Sequence, residues 1–185
     1  MKRKYYILLL VTLVLLLDQS LKIWVKLNMP LGDYFEVAGQ AWVQINFIEN
    51  PGMAFGIEWG GPYGKLALSL FRLVAIGFIG YLLFKLVRQR ASYIVITSIT
   101  LIFAGALGNM LDSMFYGLLF TASTPLQVAD WAAEGGVGYA DFLHGRVVDM
   151  FYFPLLDTTF PEWLPSIGGR PFRFFEFIFN ILGVW

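Results

Sequence analysis

The sequence predicts an all-α membrane protein, a helical transmembrane bundle with a small extracytoplasmic β-rich cradle, and three observations predict it. Of the 185 residues, 58% are hydrophobic and 14% charged, an apolar excess that soluble domains do not carry. Three segments approach the roughly 20 apolar residues that cross a bilayer as a helix. Outside them lie short stretches with the two-residue alternation of strands.

The first span is expected at residues 5–25 and holds Asp18 and Lys22. Four residues apart, these two share a helical face and can pair. A segment with both charges crosses only if they lie near its far end or face protein. The second span, 66–84, carries Arg72 alone, and the third, 93–112, is uncharged until Asp112. Lys2, Arg3 and Lys4 precede the first span, and Lys85, Arg88 and Arg90 separate the other two. By the positive-inside rule both basic clusters are cytoplasmic, so the segments 26–64 and 113–180 lie outside. A single membrane-embedded domain over 1–185 is expected. The basic start and leucine run also resemble a secretory signal peptide. No small-x-small pattern follows and Asp18 interrupts, so an uncleaved anchor is expected.

The outer segments read as folded. In "WVQINFI" (42–48), Val43, Ile45 and Phe47 alternate with Gln44 and Asn46, which is strand periodicity. The following "ENPGMAFG" (49–56) has the proline and glycines of a turn. The aromatic-rich "FYFPLLDTTFPEWLP" (151–165) suits the membrane interface, where Trp and Tyr settle.

Composition also excludes functions. Thirteen basic and thirteen acidic residues cancel, whereas a nucleic-acid surface needs a basic excess on one face. With no cysteine and one histidine, His144, there is no disulfide, thiolate metal site, Cys nucleophile or His-rich zinc site. No metal or cofactor is expected.

Polar residues at membrane depth then stand out. Asn109 and Asp112, three apart, share a face near the outer end of span three. Asp18 and Lys22 lie near another outer end, and Asp149 follows a strand-like "RVV" just outside. Five polar groups thus converge on one level of the membrane. Some have structural explanations: Asp18 can neutralise Lys22, Asn109 can bridge helices, Arg72 can snorkel or serve as a counterion, Asn50 can cap a turn, and His144 can be exposed. Asp112 and Asp149 are harder to explain so, because few outer cations are available to neutralise them. Two carboxylates sharing one proton could polarise a carbonyl and activate water without metal or thiol.

Four blocks in order, "DQSLKIWVK" (18–26), "ENPGMAFG" (49–56), "GNMLDS" (108–113) and "GRVVDMFYFP" (145–154), make the chain resemble the lipoprotein signal peptidases, or signal peptidase II, from about residue 18 to 182. The resemblance implies a four-helix enzyme of the bacterial inner membrane. Such an enzyme cleaves the signal peptide of diacylglyceryl-modified prolipoproteins just before the lipidated cysteine, with two catalytic aspartates at the outer face. Motif position makes Asp149 the first of them. Asp18, Lys22, Asn50, Asn109, Asp112 and Asn180 fall on positions that bind substrate or support the site. The expected partners are prolipoproteins and membrane lipids, and the chain is expected to act as a monomer.

Two departures from the family pattern matter. Ser113 stands where the family often carries arginine, so the cation expected there is absent or supplied from elsewhere. In the family's "FNxAD" block, which opens a fourth helix, this chain has "FNILGVW", with Leu182 and Gly183 at the last two positions. Glycine cannot transfer a proton, so impaired catalysis and a missing fourth span are expected, and a non-catalytic protein that binds lipidated precursors is the alternative. A Ser-Lys peptidase using Ser20 or Ser69 with Lys22 or Lys65 lacks any oxyanion-hole signature, and a transporter lacks repeated halves.

Overall fold

The computed structural model describes residues 2–50, 61–132, 136–153, 157–159 and 171–173. Helix α1 (Arg3–Asn28) outruns the expected span at both ends. It stops where Met29, preceding Pro30, turns extended at φ −121° and ψ 137°, the conformation that a following proline imposes. Strands β1 (Tyr34–Val37) and β2 (Gln40–Asn50) form an antiparallel hairpin. Its loop residues Ala38 and Gly39 both have positive φ, 53° and 71°, the handedness that matches strand twist in a two-residue turn. The strand expected at 42–48 lies inside β2.

Helix α2 (Gly61–Arg88) and helix α3 (Tyr93–Leu111) complete, among the described residues, three helices long and apolar enough to cross a membrane. The Ser92 side chain caps α3 by accepting from the Val95 N–H. Both α1 and α2 pack against α3. Large apolar side chains face outward along the helices, among them Leu16, Phe71, Val74, Phe78 and Ile94. Such a surface is stable in hydrocarbon and not in water. The chain is a helical membrane protein with a small sheet, as expected.

Beyond α3 the helix widens into one π turn (Asp112–Tyr116) and ends in a short turn, α4 (Gly117–Leu119). The widening frees carbonyls for another segment: Ser113 O accepts from Gly145 N–H at 2.9 Å and Gly117 O from Ala140 N–H at 3.1 Å. Gly145 permits this approach, because a Cβ there would overlap the Asp112 carbonyl. The 140–145 segment leads into β3 (Val147–Tyr152), which pairs antiparallel with β2, so the sheet order is β1-β2-β3. Strands β4 (Asp157–Thr159) and β5 (Pro171–Arg173) form a separate antiparallel pair. The core lies where the sheet meets the end of α1. There Val25, Met29, Ile45, Phe47, Tyr116, Phe120, Val148 and Met150 pack together.

Candidate active site

Strand alternation places Asp149. In β3, Val148 and Met150 belong to the core cluster, so Asp149 between them points to the opposite face. That face borders a cleft of about 610 Å³ among α1, α2, α3 and β3, lined by Asp18, Lys22, Arg72, Asn109 and Asp149 with apolar side chains that include Ile79, Leu101 and Ile102. The register pairs Ile48 with Asp149 and Asn50 with Val147, which sets Asn50 diagonally beside Asp149 on one face. The Asn50 side chain hydrogen-bonds the Asp149 carboxyl.

Asp149 is only 8% exposed. Burial pushes its pKa from 3.8 up to about 7, and the Asp112 charge adds to the rise. The Lys22 charge, the Asn50 hydrogen bond and the Arg72 charge oppose it. A carboxyl poised near neutrality can either hold or release a proton at working pH, the property of a general acid or base.

Asp112 stands deeper and is fully buried. Lys22 Nζ donates to its Oδ2 at 2.7 Å, Gln19 Nε2 to its Oδ1 at 2.9 Å, and the Val148 N–H to Oδ2 at 3.3 Å. The expectation that few cations are available to neutralise Asp112 is therefore corrected, because Lys22 of α1 pairs with it. Lys22 also donates to Asn109 Oδ1 at 2.8 Å and lies 3.4 Å from Asp18 Oδ2. The expected Asp18–Lys22 pair exists, but the closer anion is Asp112. Asp112 Oδ2 reaches the ammonium from the π turn at 2.7 Å, against 3.4 Å for Asp18 Oδ2.

Sequence reading missed Gln19, which bonds Asp18, Asp112 and the Gly108 carbonyl and accepts from the Tyr116 hydroxyl at 3.1 Å. Its signal was available: Gln19, Lys22 and Lys26 recur at i, i+3 and i+7 on one helical face. Lys26, also missed, is fully buried. Arg72 Nη1 donates to Ser113 Oγ at 3.2 Å, so a guanidinium from α2 stands beside the serine found where the family often has arginine. His144, expected to be exposed, is half-buried, with Nδ1 3.0 Å from the Phe142 carbonyl. Ser69 Oγ donates to the Leu143 carbonyl at 3.0 Å, and Lys22 donates to Asp112. Asn180, Leu182 and Gly183 lie outside the described residues. Among the described residues, no three His, Asp or Glu side chains stand where they could share a metal ion.

The family model described as signal peptidase (SPase) II matches residues 10–182. A lipoprotein signal peptidase of Porphyromonas gingivalis strain W83 is 54% identical over 172 residues, spanning 92% of this chain and 73% of that protein. Another, from Amoebophilus asiaticus, is 33% identical over 159 residues, spanning 85% of this chain and 63% of its own length. Among solved structures, a bacterial membrane enzyme superposes with a TM-score of 0.53 at 23% identity, covering 97% of this chain and 89% of the other. That last likeness concerns the fold alone.

Proposed function

The chain belongs to the signal peptidase II family, and from that premise we propose that it cleaves the signal peptide from diacylglyceryl-modified prolipoproteins before the lipidated cysteine, with Asp149 as one carboxylate of an aspartic dyad. One observation carries the reading: a buried acid, hydrogen-bonded by Asn50 and with a pKa of about 7, on the wall of a largely apolar cleft. When ionised, Asp149 would take a proton from the attacking water. When protonated, it would donate a hydrogen bond to the carbonyl under attack. The apolar side chains of α2 and α3 suit a lipid's acyl chains, and the polar groups near Asp149 suit the peptide. Asp112 acts indirectly, because its bond to the Val148 N–H holds the backbone next to Asp149.

Basic residues at Lys2, Arg3, Lys4, Lys85, Arg88 and Arg90 support a bacterial inner-membrane protein with its N-terminus inside and the cleft at the outer face. Working as a monomer fits a cleft built within one chain.

The test is cleavage of a lipidated precursor in membranes. Asp149→Asn keeps the shape and removes the proton chemistry, so processing should fall by at least about a hundredfold with expression unchanged. Undiminished cleavage would remove Asp149 from the mechanism. The same assay decides the expectation attached to Gly183. That residue cannot carry the second proton, so we infer weak turnover by this chain. Rapid turnover that Asp149→Asn eliminates would mean that an acid other than residue 183 serves. Binding of precursor without any cutting would favour the non-catalytic reading.

A further inference from the structure

The core side of the sheet holds a second charge cluster, buried at Lys26 and Glu49 and reaching the surface at Arg146, for which peptide cleavage has no direct use. Lys26 lies one turn beyond Lys22 on α1 and is fully buried. Its ammonium pairs with Glu49 of β2 and donates to Ser123 Oγ at 3.0 Å. Ser123 in turn donates to Glu49 Oε1 at 3.1 Å, and Arg146 Nη1 donates to Glu49 Oε2 at 3.1 Å. The rings of Tyr139 and Phe120 enclose the Lys26 ammonium at 4.9 and 5.6 Å. One carboxylate, 2% exposed, thereby ties α1, the loop after α4, β2 and the entry to β3 together.

Glu49 occupies a particular place in the sheet. It pairs with Val148, the neighbour of Asp149, and its own neighbour is Asn50, whose side chain bonds the Asp149 carboxyl. Successive strand residues point to opposite faces, so Glu49 grips the core side while Asn50 reaches the cleft. Buried ion pairs add little net stability over apolar residues of equal volume. Locking one strand geometry is the better account of three donors on one carboxylate.

We propose that Glu49 is a positioning residue: clamped by Lys26, Ser123 and Arg146, it holds β2 so that Asn50 keeps its hydrogen bond to Asp149. The proposal rests on the role given to Asp149 above. Lys22 and Asp18 from α1, Arg72 from α2, Asn109 from α3, Asp112 from the π turn after it, and Asn50 from β2 surround Asp149. Of these, Asn50 alone adjoins Glu49 in the chain. Its bond favours the ionised carboxylate, so loosening it raises the pH at which Asp149 titrates. A purely structural defect lowers the yield of folded protein and leaves that titration where it was.

The experiment compares Glu49→Gln and Arg146→Gln, with Arg146→Lys as the conservative variant, in the whole protein in detergent. Two readouts are taken: kcat and KM against pH on a lipidated precursor peptide, and the pH dependence of the melting-temperature difference made by Asp149→Asn in each background. The second needs no turnover and decides. Its midpoint is expected to rise by roughly half a pH unit or more in both Gln variants, and to return with Arg146→Lys. The acid limb of kcat should move with it, and kcat should fall about tenfold with KM nearly constant. Unmoved melting-difference midpoints overturn the proposal. If Glu49→Gln does not fold, Arg146→Gln alone decides. A parent activity indifferent to Asp149→Asn would sink the catalytic role of Asp149, while the melting readout would still judge Glu49.

Discussion

Asp149 is a single acid whose setting determines when it is charged. Its folded pKa of about 7 lies above the ordinary 3.8, so between these values the folded chain binds more protons than the unfolded one. Stability contributed by the neutral form is fully present below about pH 4. It is lost as pH rises to about 7, and is level above that. Asp149→Asn has no such titration, so its melting temperature should gain on the parent's across that window, by the equivalent of up to about 4 kcal/mol. A difference that does not vary with pH would mean that Asp149 is not buried as described. Lys22 and Asp112 make a second residue-scale prediction. Removing either alone strands a charge inside the protein and should cost roughly 3 to 5 kcal/mol, whereas removing both should cost less. A double-mutant cycle on thermal stability should show strong coupling for Lys22–Asp112 and weaker coupling for Asp18–Lys22.

At the scale of elements, the approach of α1 to α3 depends on Gly108. A Cβ there would meet Asp18 Oδ2 at 2.5 Å and Leu15 beyond it, and the neighbouring Gly108 carbonyl accepts from Gln19 at 3.3 Å. Gly108→Ala should push the helices apart at the level of the ion pairs and lower the melting temperature, by about 1 to 3 kcal/mol in stability. An unchanged melting temperature would show that Asp18 can swing aside freely. The elements themselves were largely legible, because the three spans are long apolar runs and Val43, Ile45 and Phe47 alternate plainly. Their ends were less so. The extension of α1 to Asn28 needed Lys26, a charged residue, to be buried at 0% exposure, and no hydrophobic pattern announces a buried lysine. The π turn after α3 was also invisible, since it answers to carbonyl acceptors required by the 140–145 segment.

The whole molecule presents apolar side chains outward along three helices and gathers its polar groups at the end of the bundle that meets the sheet. Only a minority of the residues along each of the three helices is buried within the protein, so the hydrocarbon of a bilayer must cover the rest. The chain should stay in the membrane pellet through an alkaline carbonate wash and leave it only with detergent. Release by carbonate would refute integral insertion.

Sequence alone determined the membrane class, the three long apolar helices found among the described residues and the short list of polar residues with no business in hydrocarbon. It could do so because hydrophobic runs and isolated charges are local properties, read one segment at a time. Partner choice was decided only by the tertiary structure. Asp18 and Lys22 are neighbours in the chain, yet Lys22 binds more closely to Asp112, 90 residues away. Asp149 acquires its near-neutral pKa from burial, with the Asp112 charge adding to the rise and Lys22, Asn50 and Arg72 opposing it, groups that separate elements bring together. Glu49, unremarkable in its turn-like motif, becomes the anchor of Lys26 and Arg146. The energy of a buried charge depends on the few ångströms around it, and packing, not sequence distance, sets what lies there.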